Sequence, residues 1–209
     1  MQLMDVIYNR KSIRKFKKIQ ISRYELEQII EAGILAPSAK NRQPWHFYII
    51  QDREKEILLN SISEGIENLS KEYKSKGISR PDIDGARNTL NSMQQASVVV
   101  LIACKKKYQK SFDDNVNWYL HALDIETADI LSIGAAIEHM LLKAVEMGYG
   151  TLWICDIFYA YPQIIKFLQT DDAIVSAVCI GSPDEFPTNR PRLSVEEVST
   201  FYCNKEHNI

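Results

Sequence analysis

At 209 residues the chain has the length of one large domain, and no low-complexity linker divides it. Its 45% hydrophobic and 25% charged residues are ordinary for a globular protein that buries a core without disulfides or metals. A net charge of −2 speaks against a general affinity for nucleic acid or anionic lipid.

In chain order, residues 2–9 read as a short helix, followed by a basic run at 10–18 in which six of nine residues are Arg or Lys. Ser22 with Glu25 three residues later is a capping box. Behind it Leu26, Ile29, Ile30, Gly33 and Ile34 fall at helical spacing and predict an amphipathic helix over 22–35. Pro37 closes that helix, 37–44 is a loop by composition, and the aromatic and β-branched segment 46–51 is a strand. Asp52 opens a helix to about Glu64. Residues 65–95, polar and punctuated by Gly77, Pro81 and Gly85, read as a mobile excursion over the surface. Residues 97–104 form a buried strand.

From 117 to 147 the pattern is one long helix. From Ile130 onward its apolar and small residues go nearly all the way round, so it is buried on several sides, in a core or against a partner subunit. Residues 151–154 are extended, Pro162 opens a short helix through Leu168, and 173–180 is a further strand. Ser194 with Glu197 caps a C-terminal helix. Strands and helices without regular βαβ alternation predict an α+β fold, and the Gly-x-Gly-x-x-Gly signature is absent.

The N-terminus meets charge too early for a secretory apolar region, and the longest uncharged stretches fall short of the roughly 20 residues of a membrane span. Cys104, Cys155, Cys179 and Cys203 are widely spaced, which suits free thiols in a reducing compartment; a cytoplasmic chain is expected. His46, His121, His139 and His207 lack metal-ligand spacing, so no metal site is expected. His121 with Asp124, Glu126 and Asp129 reads as a set of solvated or interfacial helix positions.

Four constellations can carry chemistry. Arg10 and Arg14 in the basic run suit a phosphate, as planar charge-assisted donors, or simply form a solvated face. The loop 37–45 holds Ser38, Asn41 and Gln43 between two prolines. It is either an ordinary connection or the donor–acceptor mixture that the edge of a planar heterocycle needs. Gly148 and Gly150 either end the helix or let backbone approach a flat ligand closely. Arg190 and Arg192 flank Pro191 before the last helix, and either grip an anion or face solvent.

Taken together, Arg10-Lys11-Ser12-Ile13-Arg14, the run Ala36-Pro37-Ser38-Ala39-Lys40-Asn41-Arg42-Gln43-Pro44-Trp45, the helix from Asp129 to Gly148 with Tyr149-Gly150-Thr151 after it, and Arg190-Pro191-Arg192-Leu193 resemble the FMN-dependent nitroreductase family in order and spacing. The resemblance spans nearly the whole chain. It implies one nitroreductase-like domain over 1–209, with a central, mostly antiparallel mixed sheet flanked by helices and a long buried helix at the interface of a homodimer. It implies FMN as cofactor, NADH or NADPH as electron donor, and an oxidised small molecule such as a nitroaromatic or quinone as acceptor.

Residue by residue, the resemblance gives the FMN phosphate and ribityl chain to Arg10, Ser12 and Arg14, with Lys11 reaching toward the ring, and adds Arg190 and Arg192 at the phosphate. Pro37, Ser38, Ala39, Asn41 and Gln43 contact the isoalloxazine of the opposite subunit, where N3 donates while O2 and O4 accept. Backbone amides near N5 and O4 come from Ile154, Cys155 and Asp156. Cys155 departs from the usual residues there. Thr89 and Ser92 stand where some members carry an Asn and a Lys. The flavin carries the chemistry, so no side-chain acid or base is assigned. A non-catalytic FMN-binding sensor or reservoir is the rival reading. A nucleic-acid module led by 10–18 is another, opposed by the 38–43 loop and the neutral-to-acidic remainder.

Overall fold

The structure, a computed structural model, describes residues 2–77, 83–105, 118–155 and 158–202, with backbone only at 118–126 and 158. The elements are α1 (Leu3–Asn9), β1 (Phe16–Lys17), α2 (Arg23–Ile34), β2 (Trp45–Ile50), α3 (Asp52–Ser75), α4 (Ile83–Gln95), β3 (Val98–Cys104), α5 (Trp118–Glu146), β4 (Gly150–Ile154), α6 (Tyr161–Leu168), β5 (Ala173–Pro183) and α7 (Val195–Val198). A 3-10 turn at Ala39–Asn41 interrupts the expected loop.

The strands make one five-stranded sheet, ordered β1-β5-β3-β2, with β4 also paired to β5. Every pairing between these strands is antiparallel. The one parallel element is an isolated bridge between Ser12 and Thr151. The α+β expectation of a mostly antiparallel sheet flanked by helices therefore holds.

β3 shows why the sheet lies in the middle. All residues from Val98 to Ala103 are 0% exposed, and they alternate between two cores. Val99, Leu101 and Ala103 join the cluster built with α3, α4 and α6, while Val98, Val100 and Ile102 join the one built with α2 and α5. A strand covered on both faces reads as an unbroken apolar run, which is what SVVVLIAC is.

One expectation is corrected here. The described part of 65–95 is helical and packed, not an excursion over the surface: α3 continues past Glu64 to Ser75 and 83–95 is α4, while 78–82 lie outside the described residues. Ile62 and Ile66 of α3, with Ala86, Leu90 and Met93 of α4, are buried in the first core. The short β1, inside the basic run, was not expected either. Both capping boxes are present, Ser22 with Glu25 and Ser194 with Glu197.

The long helix α5 buries Asp129, Ser132, Ile133, Ala136, Ile137, Met140, Leu141 and Ala144, yet leaves Ile130 and Leu131 49% and 68% exposed. Helix α1, which packs on α5, exposes Leu3, Met4, Ile7 and Tyr8. Among the described residues, no helix is long and apolar enough to cross a membrane.

Candidate functional site

The basic segment is seated by its apolar residues. After α1 the chain runs extended, and the buried Ile13 donates its N–H to the Thr151 carbonyl at 2.8 Å. Ser12 lies opposite Thr151, so the segment runs parallel to β4. A Cβ on Gly150 would come within 2.8 Å of Ile13 Cγ1, so this approach requires glycine. With Ile13 and Phe16 turned in, Arg14 and Lys15 are exposed, while Arg10, Lys11 and Ser12 are half-buried.

Chain 184–187 is laced to the same segment. Lys11 Nζ donates to the Pro187 carbonyl at 2.9 Å, and the N–H groups of Arg14 and Lys15 donate to Glu185 Oε1 at 2.5 and 3.3 Å. Asp184 N–H returns a bond to the Lys15 carbonyl. Arg190 follows Pro187 by three residues, so the chain holds it within about 11 Å. The second basic motif is thereby tethered within reach of the first, with Arg190 and Arg192 exposed. Arg10 Nε stands 3.9 Å from Glu138 Oε1 on α5. Burial raises the Glu138 carboxyl above its usual range, against the pull of Arg10.

The 37–44 loop has an unusual backbone. Lys40, Asn41 and Gln43 have φ of 53°, 53° and 48°. Each left-handed non-glycine residue costs about 1–3 kcal/mol and persists only where its surroundings over-determine it. Those surroundings are visible. Ser38 Oγ accepts from Gln43 N–H at 3.1 Å, and Ala39 N–H donates to Ser132 Oγ on α5 at 3.3 Å. The Arg42 guanidinium pairs with Asp129. Asn41 and Gln43 are exposed, and Gln43 Nε2 donates to Asn41 Oδ1 at 3.2 Å. Pro37 and Ala39 are exposed as well, and Ser38 is half-buried. Asp129 is thereby corrected in part: it is not solvated but buried against Arg42.

In the third constellation the glycines serve the fold. Gly148, at φ +86°, turns the chain out of α5, and Gly150 makes room for Ile13. Ile154 is buried, and its carbonyl accepts from Ser176 Oγ at 2.9 Å, which in turn accepts from Trp153 Nε1 at 2.7 Å. Cys155 is exposed, and Asp156 lies outside the described residues, as do Cys203 and His207. Thr89 helps line a cavity of about 20 Å³ beside Ile154. Ser92 is buried and spends its hydroxyl on the Asn88 carbonyl at 3.2 Å. Sequence reasoning missed Glu185, Glu138 and Asp129. Only Asp129 carried a signal, as a carboxylate entering the apolar half of a helix.

One further link ties the turn before β4 to α2. Tyr149 Oη donates to Glu25 Oε1 at 2.7 Å, and Glu25 also accepts from the Ser22 N–H and hydroxyl. The hydrogen bonds from Ser22 and then Tyr149 hold the Glu25 carboxyl below its usual range. Its contribution to stability is therefore present above the ordinary carboxylate pKa and lost as pH falls through the depressed value. Burial, and then the bond to Glu25, push the Tyr149 phenol up to about 12. That contribution is full below the ordinary value of 10.0 and lost as pH rises through about 12. Tyr149→Phe should flatten the alkaline limb of the stability profile, followed by urea unfolding. An unchanged limb would show that the bond does not form in solution.

A model of the nitroreductase family matches residues 7–182. The chain belongs to that family. The chain is 33% identical, over 196 residues, to a Methanothermobacter thermautotrophicus protein with the working name NADH dehydrogenase/NAD(P)H nitroreductase, covering 91% of this chain and 82% of that one. A BluB-like flavoprotein from Clostridium difficile superposes with a TM-score of 0.78 at 29% identity, covering 97% of this chain and 100% of that one. A protein from Desulfovibrio desulfuricans, solved in complex with FMN, shares the fold at a TM-score of 0.70 and 22% identity, over 98% and 99% of the two chains.

Proposed function

We propose that this nitroreductase is a cytoplasmic, homodimeric FMN-dependent oxidoreductase that uses NADH or NADPH to reduce a small oxidised acceptor such as a nitroaromatic or quinone. The observation that carries the reading is the lacing of the basic run, through Lys11, Arg14 and Lys15, to the segment that ends three residues before Arg190. The chain's residues fit the cofactor. Exposed guanidinium groups of Arg14, Arg190 and Arg192 suit a phosphate, and the outward amides of Asn41 and Gln43 suit a ring edge that both donates and accepts. FMN supplies, when bound, hydride transfer at N5 between the nicotinamide and the acceptor.

The protein's own work is then binding, orientation and charge. Arg10, Ser12 and Arg14 hold phosphate and ribityl chain, helped by Arg190 and Arg192. Lys11 would put positive charge beside the N1 and O2 edge, favouring the reduced ring. By the family resemblance, backbone amides of Ile154, Cys155 and Asp156 would serve N5 and O4. Pro37, Ser38, Ala39, Asn41 and Gln43 close the ring site from the opposite subunit, and the apolar residues left bare on α1 and α5 form the dimer contact. No side chain is needed as acid or base.

The purified protein should be yellow, with about one FMN per subunit, and bleach with anaerobic NADH or NADPH. A protein that takes up no FMN would defeat the reading, and a yellow one that neither nucleotide bleaches would be a flavin reservoir. Arg14→Ala and Arg192→Ala should each weaken FMN about tenfold to a hundredfold, from the loss of a charge-assisted hydrogen bond. Riboflavin, which has no phosphate, should be nearly indifferent. Equal losses for both flavins, by fluorescence titration, would remove these residues from the phosphate.

A further inference from the structure

Asp129 is a carboxylate whose side chain is only 3% exposed, on the face of α5 that meets the 37–44 loop. Its partner Arg42 is 22% exposed and sits between Asn41 and Gln43, both of which are exposed. A buried charge is costly unless paired, and an apolar pair would fill the same space more cheaply. Packing alone therefore does not call for this arrangement. A directional anchor does: with the guanidinium drawn inward to α5, the residues on either side are displayed outward. One turn further along α5, Ser132 Oγ receives the Ala39 N–H, giving the loop a second tether on the same helix face. Between the two tethers lie Lys40 and Asn41, and just beyond Arg42 lies Gln43, the three residues of this loop with left-handed backbone.

We propose that Asp129, acting through Arg42, is the positioning residue that sets the 38–43 turn for contact with the flavin ring. This rests on the flavin reading above. Asp129 does not touch the cofactor. It fixes where Asn41 and Gln43 point, and Ser132 completes the fixture. The role concerns the ring and not the phosphate, which separates it from that of Arg14.

The test uses the full-length protein with Asp129→Asn, Arg42→Lys and Ser132→Ala, each titrated with FMN and with riboflavin. Asp129→Asn should weaken both flavins by the same factor, about tenfold or more, leaving the ratio of the two affinities at its wild-type value. It should also shift the visible absorption and circular dichroism of the flavin in the saturated protein. Arg42→Lys, which keeps the charge, should recover part of the affinity. An Asp129→Asn protein that binds both flavins with wild-type affinity and spectrum overturns the proposal. So does one that is merely less heat-stable, with an unaltered flavin spectrum at saturation. If Asp129→Asn does not fold, Ser132→Ala decides: weaker binding of both flavins with a spectral shift supports the fixture, and wild-type behaviour overturns it. A wild-type protein that binds neither flavin defeats the functional reading itself, and the positioning role falls with it.

Discussion

Gly150→Val should cost this protein about a hundredfold or more in FMN affinity while leaving its sheet folded. Any Cβ at this position lies 2.8 Å from Cγ1, 3.0 Å from Cβ and 3.1 Å from Cγ2 of Ile13. Ile13 cannot swing aside easily, because it is β-branched and buried. The extended segment 10–14 must therefore lift from β4, breaking the bond from Ile13 N–H to Thr151 and moving Arg10, Ser12 and Arg14 together. Gly150 pairs with Gly181 of β5 at the start of β4, with β5 between it and β3, so β2, β3 and β5 keep their pairings. Flavin titration and thermal unfolding of the same preparation check this. Wild-type FMN affinity in the valine variant would mean that the basic segment does not bind the cofactor from its seat on β4.

Mixing two inactive variants, Arg14→Ala and Asn41→Ala, should restore activity once their subunits exchange. If loop 37–43 completes the partner's flavin site, a heterodimer holds one site with both defects and one with neither. Random pairing of equal amounts puts about a quarter of all sites in the intact class. The apolar residues left bare on α1 and on Ile130 and Leu131 of α5 give two copies a reason to associate. Activity is followed as oxidation of NADH or NADPH after dissociation and remixing, with exchange confirmed by mass-tagged subunits. Confirmed exchange with no recovered activity would show that each chain builds its flavin pocket alone.

Much of the frame was legible because its signals are local. The two capping boxes are short-range hydrogen-bond patterns, and β3 announces itself by an unbroken apolar run. The failures have physical causes too. Within 65–95 the buried apolar side chains are sparse, Ile66 on α3 and Ala86, Leu90 and Met93 on α4, set among polar residues that face water. Composition outweighed periodicity there, and two core helices read as a surface excursion. β1 is two residues long inside a run of positive charge, and only its distant partner makes it a strand.

At the candidate site, residue types and spacing identified the basic motifs and the loop. What holds them did not show. Glu185 is an unremarkable carboxylate until Arg14 and Lys15 come to it, and the pairing of Arg42 with Asp129 joins positions 87 residues apart. The left-handed backbone at Lys40, Asn41 and Gln43 carries no glycine to advertise it, because tertiary anchors enforce it.

The lacing of Arg14 to Glu185, 171 residues along the chain, also sets a timetable for the protein's birth. At about 5–20 residues per second, a ribosome needs roughly 10–35 s to travel from one to the other. During that interval the nascent chain carries its most basic stretch without the segment that will fasten it, and Phe16 waits for Pro183. The first cation cluster to be made is thus among the last parts to be secured.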